Sequence, residues 1–238
     1  MENSDRQARD KTRRSLLAGG AAAIAGVAGW RWIASRGGDL SWPLRRTLEF
    51  NRNVAQSYFS PARLSREYPM DRAGEPKPNG DIGLEDEFDP SDWKLALSGF
   101  TKAQSLTLAD VQRLPRVEVT TELRCIEGWS QIVHWAGARL SDFAANYGAQ
   151  PSQYVSLETP DAKYYVGLDR AGALHPQTLL CYEMNGATLS DEHGAPLRLV
   201  IPVKYGIKNL KRIGKITFTD TRPKDYWAEQ GYDWYAGL

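Results

Sequence analysis

The chain has 238 residues, with 30 Lys and Arg against 29 Asp and Glu, and this near-balance gives no electrostatic drive toward nucleic acid, which is not expected as a partner. With 42% hydrophobic and 25% charged residues, it is neither a disordered chain nor a multi-span membrane protein. Two cysteines, Cys125 and Cys181, exclude a disulfide-stapled scaffold and a four-cysteine zinc or iron–sulfur site.

At the N-terminus, Arg13-Arg14-Ser15-Leu16-Leu17 sets an arginine pair before an uncharged stretch from Ser15 to Trp30, and resembles a twin-arginine export signal. Residues 1–35 are therefore expected to be an export signal or a membrane anchor, and the protein to work in the periplasm. At the rise of an α-helix the uncharged run reaches about 24 Å, short of the roughly 30 Å hydrocarbon thickness. Arg31 can snorkel and let Trp32 and Ile33 lengthen it, so cleavage and tethering both stay open.

Residues 36–80 carry prolines at 43, 61, 69, 76 and 78 and few periodic apolar runs, which predicts an extended arm laid over the main body, residues 81–238. The arm contributes to that body from about residue 50. Asp81, Glu85, Asp86, Glu87, Asp89 and Asp92 form an acidic run without a base: a solvated loop, or a docking patch for a basic redox partner.

Thr107 with Asp110 three places on is a capping-box-like start for a short helix that Pro115 closes. Val117, Val119, Thr121 and Leu123 alternate with polar residues, the period of a half-buried strand ending at Cys125. A second helix is expected from Ser141 to Gly148, and further strands at 154–157, 164–168, 197–203 and 215–219, with a turn at Asn185-Gly186. Mostly short strands with few helices make an α+β fold. No dinucleotide or phosphate-binding glycine loop of the usual kind is present.

Cys125 sits where the strand pattern breaks into a loop, beside Arg124, a place that favours a reactive or metal-binding thiolate. From the residues alone an inert core cysteine, or a bridge to Cys181, is an equal reading. Arg198, Lys204, Lys208, Lys211, Arg212 and Lys215 fall in one stretch free of acids and set among Gly and Pro, a composition able to wrap a phosphate. Arg198 lies inside the apolar run Leu197-Arg198-Leu199-Val200-Ile201, where a guanidinium needs an anion. His134 and His175 lack metal-ligand spacing and are expected to be structural, and the aromatic tail from Tyr226 to Tyr235 to cover the core.

Taken in order, Arg124-Cys125-Ile126-Glu127-Gly128-Trp129-Ser130, His175-Pro176 and the run from His193 to Lys208 resemble the molybdopterin-dependent oxidoreductases of the sulfite-oxidase fold. The resemblance is strongest to the branch of periplasmic methionine-sulfoxide reductases and covers about residue 50 to the C-terminus. It implies that Cys125 is the single protein thiolate on molybdenum, a soft ligand beside the pterin dithiolene. It further implies that Asn53 (or its neighbour Asn51), Thr159, His193, Arg198 and the segment Asn209, Leu210, Lys211 hold the pterin and its phosphate. Glu127 would lie near the metal and relay protons, or else pair with Arg124 or Arg139, while Trp129 packs.

The resemblance implies oxygen-atom transfer on a small or protein-bound S-oxide, by a protein monomeric in its catalytic part. No haem-attachment motif is present, so electrons are expected from a membrane haem protein or cytochrome. Sulfite oxidation is the neighbouring activity, but basic residues expected after the cysteine are replaced by Glu127, Gly128 and Trp129. His193, in contrast, is the residue type of the sulfite-oxidising branch. A cofactor-free binding scaffold with a Cys125–Cys181 bridge is the reading from another class.

Overall fold

In the computed structural model the described residues are 2–34, 42–84, 89–90, 92–102 and 104–238. They fall into two compact units, one ending at Phe50 and a larger one from Asn51 to Leu238. The first unit is dominated by α1 (Glu2–Ala34). Within it, Lys11–Ile33 is long and apolar enough by composition to cross a membrane, with none of its window buried in protein. By length and composition it is consistent with a signal or an anchor, and the helix continues past Arg31.

The segment expected to be an extended arm contains a helix, α2 (Trp42–Tyr58). Pro43 stands in its first turn, where the missing N–H would be unsatisfied anyway, and the next proline comes only at 61. From Phe59 the chain is irregular and largely extended, interrupted by a turn at 61–62 and a 3-10 helix at Met70–Arg72. Glu67 bridges Thr121, Tyr68 N donates to Thr120 O at 3.0 Å, and Gly74 N donates to Ile132 O at 2.9 Å. Ser65 is held from the other side: its N–H donates to Gln177 Oε1 at 2.8 Å and its hydroxyl to Pro202 O at 2.8 Å. His175 has a structural role here, with Nε2 3.1 Å from Arg63 O and Nδ1 accepting from Gln177 N. Glu85, Asp86 and Glu87 of the acidic run lie outside the described residues; Asp81, Asp89 and Asp92 are exposed.

The larger unit holds two sheets. After β1 (Leu95–Ser98) and β2 (Ser105–Leu106) comes α3 (Leu108–Gln112), whose N-cap Thr107 makes both capping-box bonds with Asp110. Then follow β3 (Arg116–Arg124), β4 (Ser130–Arg139), α4 (Leu140–Tyr147), β5 (Tyr154–Glu158), β6 (Tyr165–Asp169) and α5 (Arg170–Ala173). The chain finishes with β7 (Leu179–Met184), β8 (Ala187–Thr188), β9 (Arg198–Val200), β10 (Lys215–Thr219) and α6 (Tyr226–Glu229). Strands pair in the order β2-β1-β10-β5-β6 in one sheet and β3-β4-β7-β8 in the other, with β9 also on β7. Only β1 and β10 run parallel among the described pairs. The fold is α+β, as the short-strand pattern predicts.

The main core gathers Leu95, Phe143, Leu157, Leu168, Leu180 and Ile216 with their neighbours. A second cluster of Val119, Val133, Trp135, Leu179, Cys181 and Val200 lies on β3, β4, β7 and β9. Burying these side chains, at about 25 cal/mol per Å² of apolar surface, holds β3 and β9 in place, and those strands carry the candidate thiol and guanidinium. Cys181 belongs to this core and both cysteines are free, so the bridged-scaffold reading is set aside. Burial pushes the Cys181 thiol up to about 12, so it stays protonated and inert.

Candidate functional site

Cys125 follows directly on β3, and a tight turn returns the chain to β4. Cys125 N donates to Trp129 O at 2.9 Å and Gly128 N to Cys125 O at 3.2 Å. Gly128 has φ +88, a conformation open to glycine at little cost, so the turn follows from Gly at that place. The rigid β3–β4 ladder behind it, paired from Arg116↔Ala138 to Arg124↔Ser130, fixes where the thiol stands.

The thiol is half-buried in the wall of a cleft of about 110 Å³. Several parts of the chain build the rest of that wall. The arm supplies Lys77 and Asn79, with Ile82 just after it; β9 and the loops flanking it supply His193, Arg198, Asn209 and Lys211; and Trp129, Tyr164 and Trp227 complete it.

Arg198 is the most costly residue here. It is fully enclosed, 3% exposed, with its guanidinium 4.8 Å over the Trp135 ring. Nη1 donates to His193 O at 2.9 Å, but Nε has no hydrogen-bond partner and no carboxylate pairs with the group among the described residues. Burial pulls its pKa down to about 10, so it is still a cation at neutral pH. His193 Nε2 is likewise buried without a hydrogen-bond partner. The Glu75 carboxylate lies 3.6 Å from it, but Glu75 is largely solvent-exposed. Burial, then Arg198 and Lys211, lower the imidazole pKa, and these outweigh that screened carboxylate, so the ring is neutral. Lys211 donates to Gly80 O at 2.9 Å, and burial followed by Arg198 lowers it to about 8.

The rest of the basic stretch is not a phosphate cradle. Lys204 lies 3.1 Å from Asp169, Lys208 is buried against Asp225, Arg212 lies 3.3 Å from Asp191 and Lys215 2.8 Å from Glu158. Acids distant in sequence neutralise these cations, which no local window reveals. Of the six, Arg198 and Lys211 line the cleft with no carboxylate in ion-pair contact among the described residues, although Glu192 and Asp81 lie near enough to Lys211 to act on its charge.

Other expected residues are placed differently. Asn53 and Asn51 are exposed on α2 and do not line the cleft. Asn79 stands there instead, its Nδ2 3.7 Å from Cys125 Sγ, in the Pro78-Asn79-Gly80 stretch of the arm. Thr159 is buried behind the wall, hydrogen-bonded to Asp161 Oδ1 at 2.5 Å. Leu210 is buried as well, its carbonyl accepting from Leu199 N at 2.8 Å. Asn209 lines the cleft while its Oδ1 accepts from Ile201 N at 2.8 Å. The Glu127 carboxylate pairs with neither Arg124, which binds Glu122 at 2.8 Å, nor Arg139, which donates to Pro176 O. It accepts from Trp129 Nε1 at 3.0 Å.

A half-buried thiol and an enclosed cation with no carboxylate partner among the described residues line one cleft, a pairing suited to a soft-ligated, anionic cofactor. Residues 82–227 match the family described as oxidoreductase molybdopterin binding domain, and the chain belongs to that family. A protein of Azospira oryzae, provisionally named protein-methionine-sulfoxide reductase subunit YedZ1, is 36% identical over 193 residues, 79% of this chain and 73% of its own. The protein-methionine-sulfoxide reductase catalytic subunit MsrP of Campylobacter jejuni is 34% identical over 178 residues, 66% of this chain and 60% of its own. The crystal structure of the sulfane dehydrogenase SoxCD from Paracoccus pantotrophus superposes with a TM-score of 0.55 at 24% identity, over 69% of this chain and 47% of that one, and shows the shared fold.

The residues fit such a group. A molybdenum–pterin cofactor calls for a soft protein ligand and a counter-charge for its phosphate. The cleft offers the Cys125 thiol, the enclosed Arg198 guanidinium, and buried nitrogens on Arg198 and His193 whose hydrogen-bonding capacity is unspent. Such orphaned groups cost free energy unless a ligand completes them.

Proposed function

We propose that this chain is a periplasmic molybdenum oxidoreductase that reduces an S-oxide, with methionine sulfoxide as the prime substrate. The reaction takes two protons and two electrons to convert the sulfoxide into a thioether and water. When bound, the molybdenum–pterin group supplies the two-electron chemistry. Cys125 anchors the metal, Asn79 donates to the anchoring sulfur, and Arg198, His193, Asn209 and Lys211 hold the pterin end, with Thr159 and Leu210 backing the wall. Electrons come from a membrane haem protein, and α1 is the export signal or tether that brings the enzyme to that membrane. The names of the Azospira and Campylobacter relatives support the substrate. The observation that carries the reading is the enclosed Arg198, with no carboxylate partner among the described residues, in the same cleft as Cys125.

The test is native full-length protein assayed for bound molybdenum and for reduction of free and protein-bound methionine sulfoxide by a reduced viologen dye. The reading expects about one molybdenum per chain and steady sulfoxide reduction. Absence of molybdenum, or sulfite oxidation without sulfoxide reduction, contradicts it.

A further inference from the structure

Two indole rings, Trp129 and Trp227, share the cleft wall with Cys125. Each has its N–H already committed. Trp129 Nε1 donates to Glu127 Oε2 at 3.0 Å, and Trp227 Nε1 donates to Tyr164 Oη at 3.0 Å. Tyr164 Oη in turn donates to Ile207 O at 2.6 Å, so that chain ends on a backbone carbonyl. Trp227 is braced edge-on by Tyr226 and Tyr232, with ring centroids 5.4 and 5.3 Å away. An indole has a single polar hydrogen, so with it spent both rings offer the cleft only aromatic carbon. Glu127 itself is exposed and does not line the cleft. It reaches the site through the ring that it holds.

We propose that Trp129 and Trp227 form an apolar wall that receives the methyl and methylene groups flanking the substrate sulfur. Glu127 is a positioning residue for Trp129. The inference rests on the sulfoxide-reductase reading and narrows it to uncharged alkyl methyl sulfoxides. Thioether and methyl groups pack well on aromatic rings, whereas an oxyanion such as sulfite finds no free indole donor on this wall and a carboxylate close behind it.

The test compares Glu127→Ala, Glu127→Gln, Trp129→Ala, Trp129→Phe, Trp227→Ala and Trp227→Phe in the cofactor-loaded full-length enzyme, with N-acetyl-methionine sulfoxide as substrate. Glu127→Ala, Trp129→Ala and Trp227→Ala should each raise KM, by about tenfold for the tryptophans, with kcat within about twofold. Glu127→Gln should recover most of the KM lost in Glu127→Ala, since its amide oxygen still accepts the indole N–H, and should leave the pH profile of kcat unmoved. The phenylalanine variants keep ring surface and should recover KM, which covers the case of an alanine variant that does not fold. A kcat loss of about tenfold or more in Glu127→Gln at unchanged KM overturns the positioning role and makes Glu127 a proton carrier.

A second readout is independent of turnover. Tryptophan emission of the loaded enzyme is titrated with N-acetyl-methionine sulfoxide and, separately, with sulfite. A saturable change with the sulfoxide alone, lost when both tryptophans are replaced by alanine, supports the wall. No change, an equal change with sulfite, or a change that persists in the double variant overturns it. Failure of the sulfoxide-reductase reading looks different: the emission change remains while the wild-type enzyme turns over no sulfoxide.

Discussion

The side-chain amide of Asn79 lies 3.7 Å from the sulfur of Cys125, joining the proline-spaced arm to the end of β3 across 46 residues of sequence. An N–H donor at a thiolate stabilises its charge and orients the lone pairs it offers to a metal. Replacing Asn79 by Ala should therefore cost about tenfold or more in retained molybdenum after dialysis, a typical loss when a ligand's hydrogen-bond partner is removed. Retention equal to wild type would place the arm outside the metal's surroundings.

Arg198 tests the trade between stability and occupancy. In cofactor-free protein its enclosed charge has no carboxylate partner among the described residues, and apolar replacement of a poorly compensated buried charge is often neutral or stabilising. Arg198→Met should hold or raise the thermal midpoint of the cofactor-free protein. In the same variant pterin content should fall at least about tenfold, since a charge-assisted contact is worth roughly 1.5–3 kcal/mol. Calorimetry and pterin fluorescence after release read the two effects separately, and a destabilised variant with full pterin content would contradict both.

Lys211 should give opposite pH trends in stability and in anion binding. Its pKa is lowered to about 8 in the fold from 10.5. Between these values the folded chain binds fewer protons than the unfolded one, so the contribution of Lys211 to stability rises with pH through that window. Below about 8 both forms are protonated and its full penalty is felt. An anion at the cleft prefers the protonated amine, so pyrophosphate binding to cofactor-free protein should weaken as pH rises past 8. Both trends are read as differences between wild type and Lys211→Met, because Cys181, held up near 12, works against stability above its ordinary value. Identical pH profiles for the two proteins would remove Lys211 from the anion site.

Gly137 sits where β4 and β7 shift register, and a Cβ there would lie 2.2 Å from Leu180 O and 2.7 Å from Cys181 Cα. Both obstacles are backbone, so neither can swing aside. Gly137→Ala should cost about 3 kcal/mol or more by chemical denaturation, in the range of core overpacking. A change below about 1 kcal/mol would mean that the ladder opens there without penalty.

Local signals are readable in the sequence where local chemistry decides the structure. The Thr107 capping box, the Gly148 helix stop and the Asn185-Gly186 turn all form, the last with positive φ at both residues. Strands β4 and β7 are not visible because their long buried runs leave no alternation to read. Helix α2 is hidden because a proline reads as a breaker unless its place in the first turn is known.

Site legibility divides the same way. Cys125, His193, Arg198, Asn209 and Lys211 come from the motif-bearing runs and meet in one cleft. Asn79, Tyr164 and Trp227 reach it from segments that carry no motif, delivered by tertiary packing alone. Asn53 does not line the cleft, because it is exposed on α2.

Whether the Cys125 sulfur holds the metal decides the rest. Molybdenum-edge X-ray absorption of the loaded wild-type enzyme and of Cys125→Ser, matched for metal content by direct assay, counts the sulfur atoms around the metal. One fewer sulfur neighbour is expected at molybdenum in the variant, with sulfoxide turnover lost. The same number of sulfur neighbours in both proteins, with turnover preserved in the variant, would contradict the assignment of Cys125 as ligand.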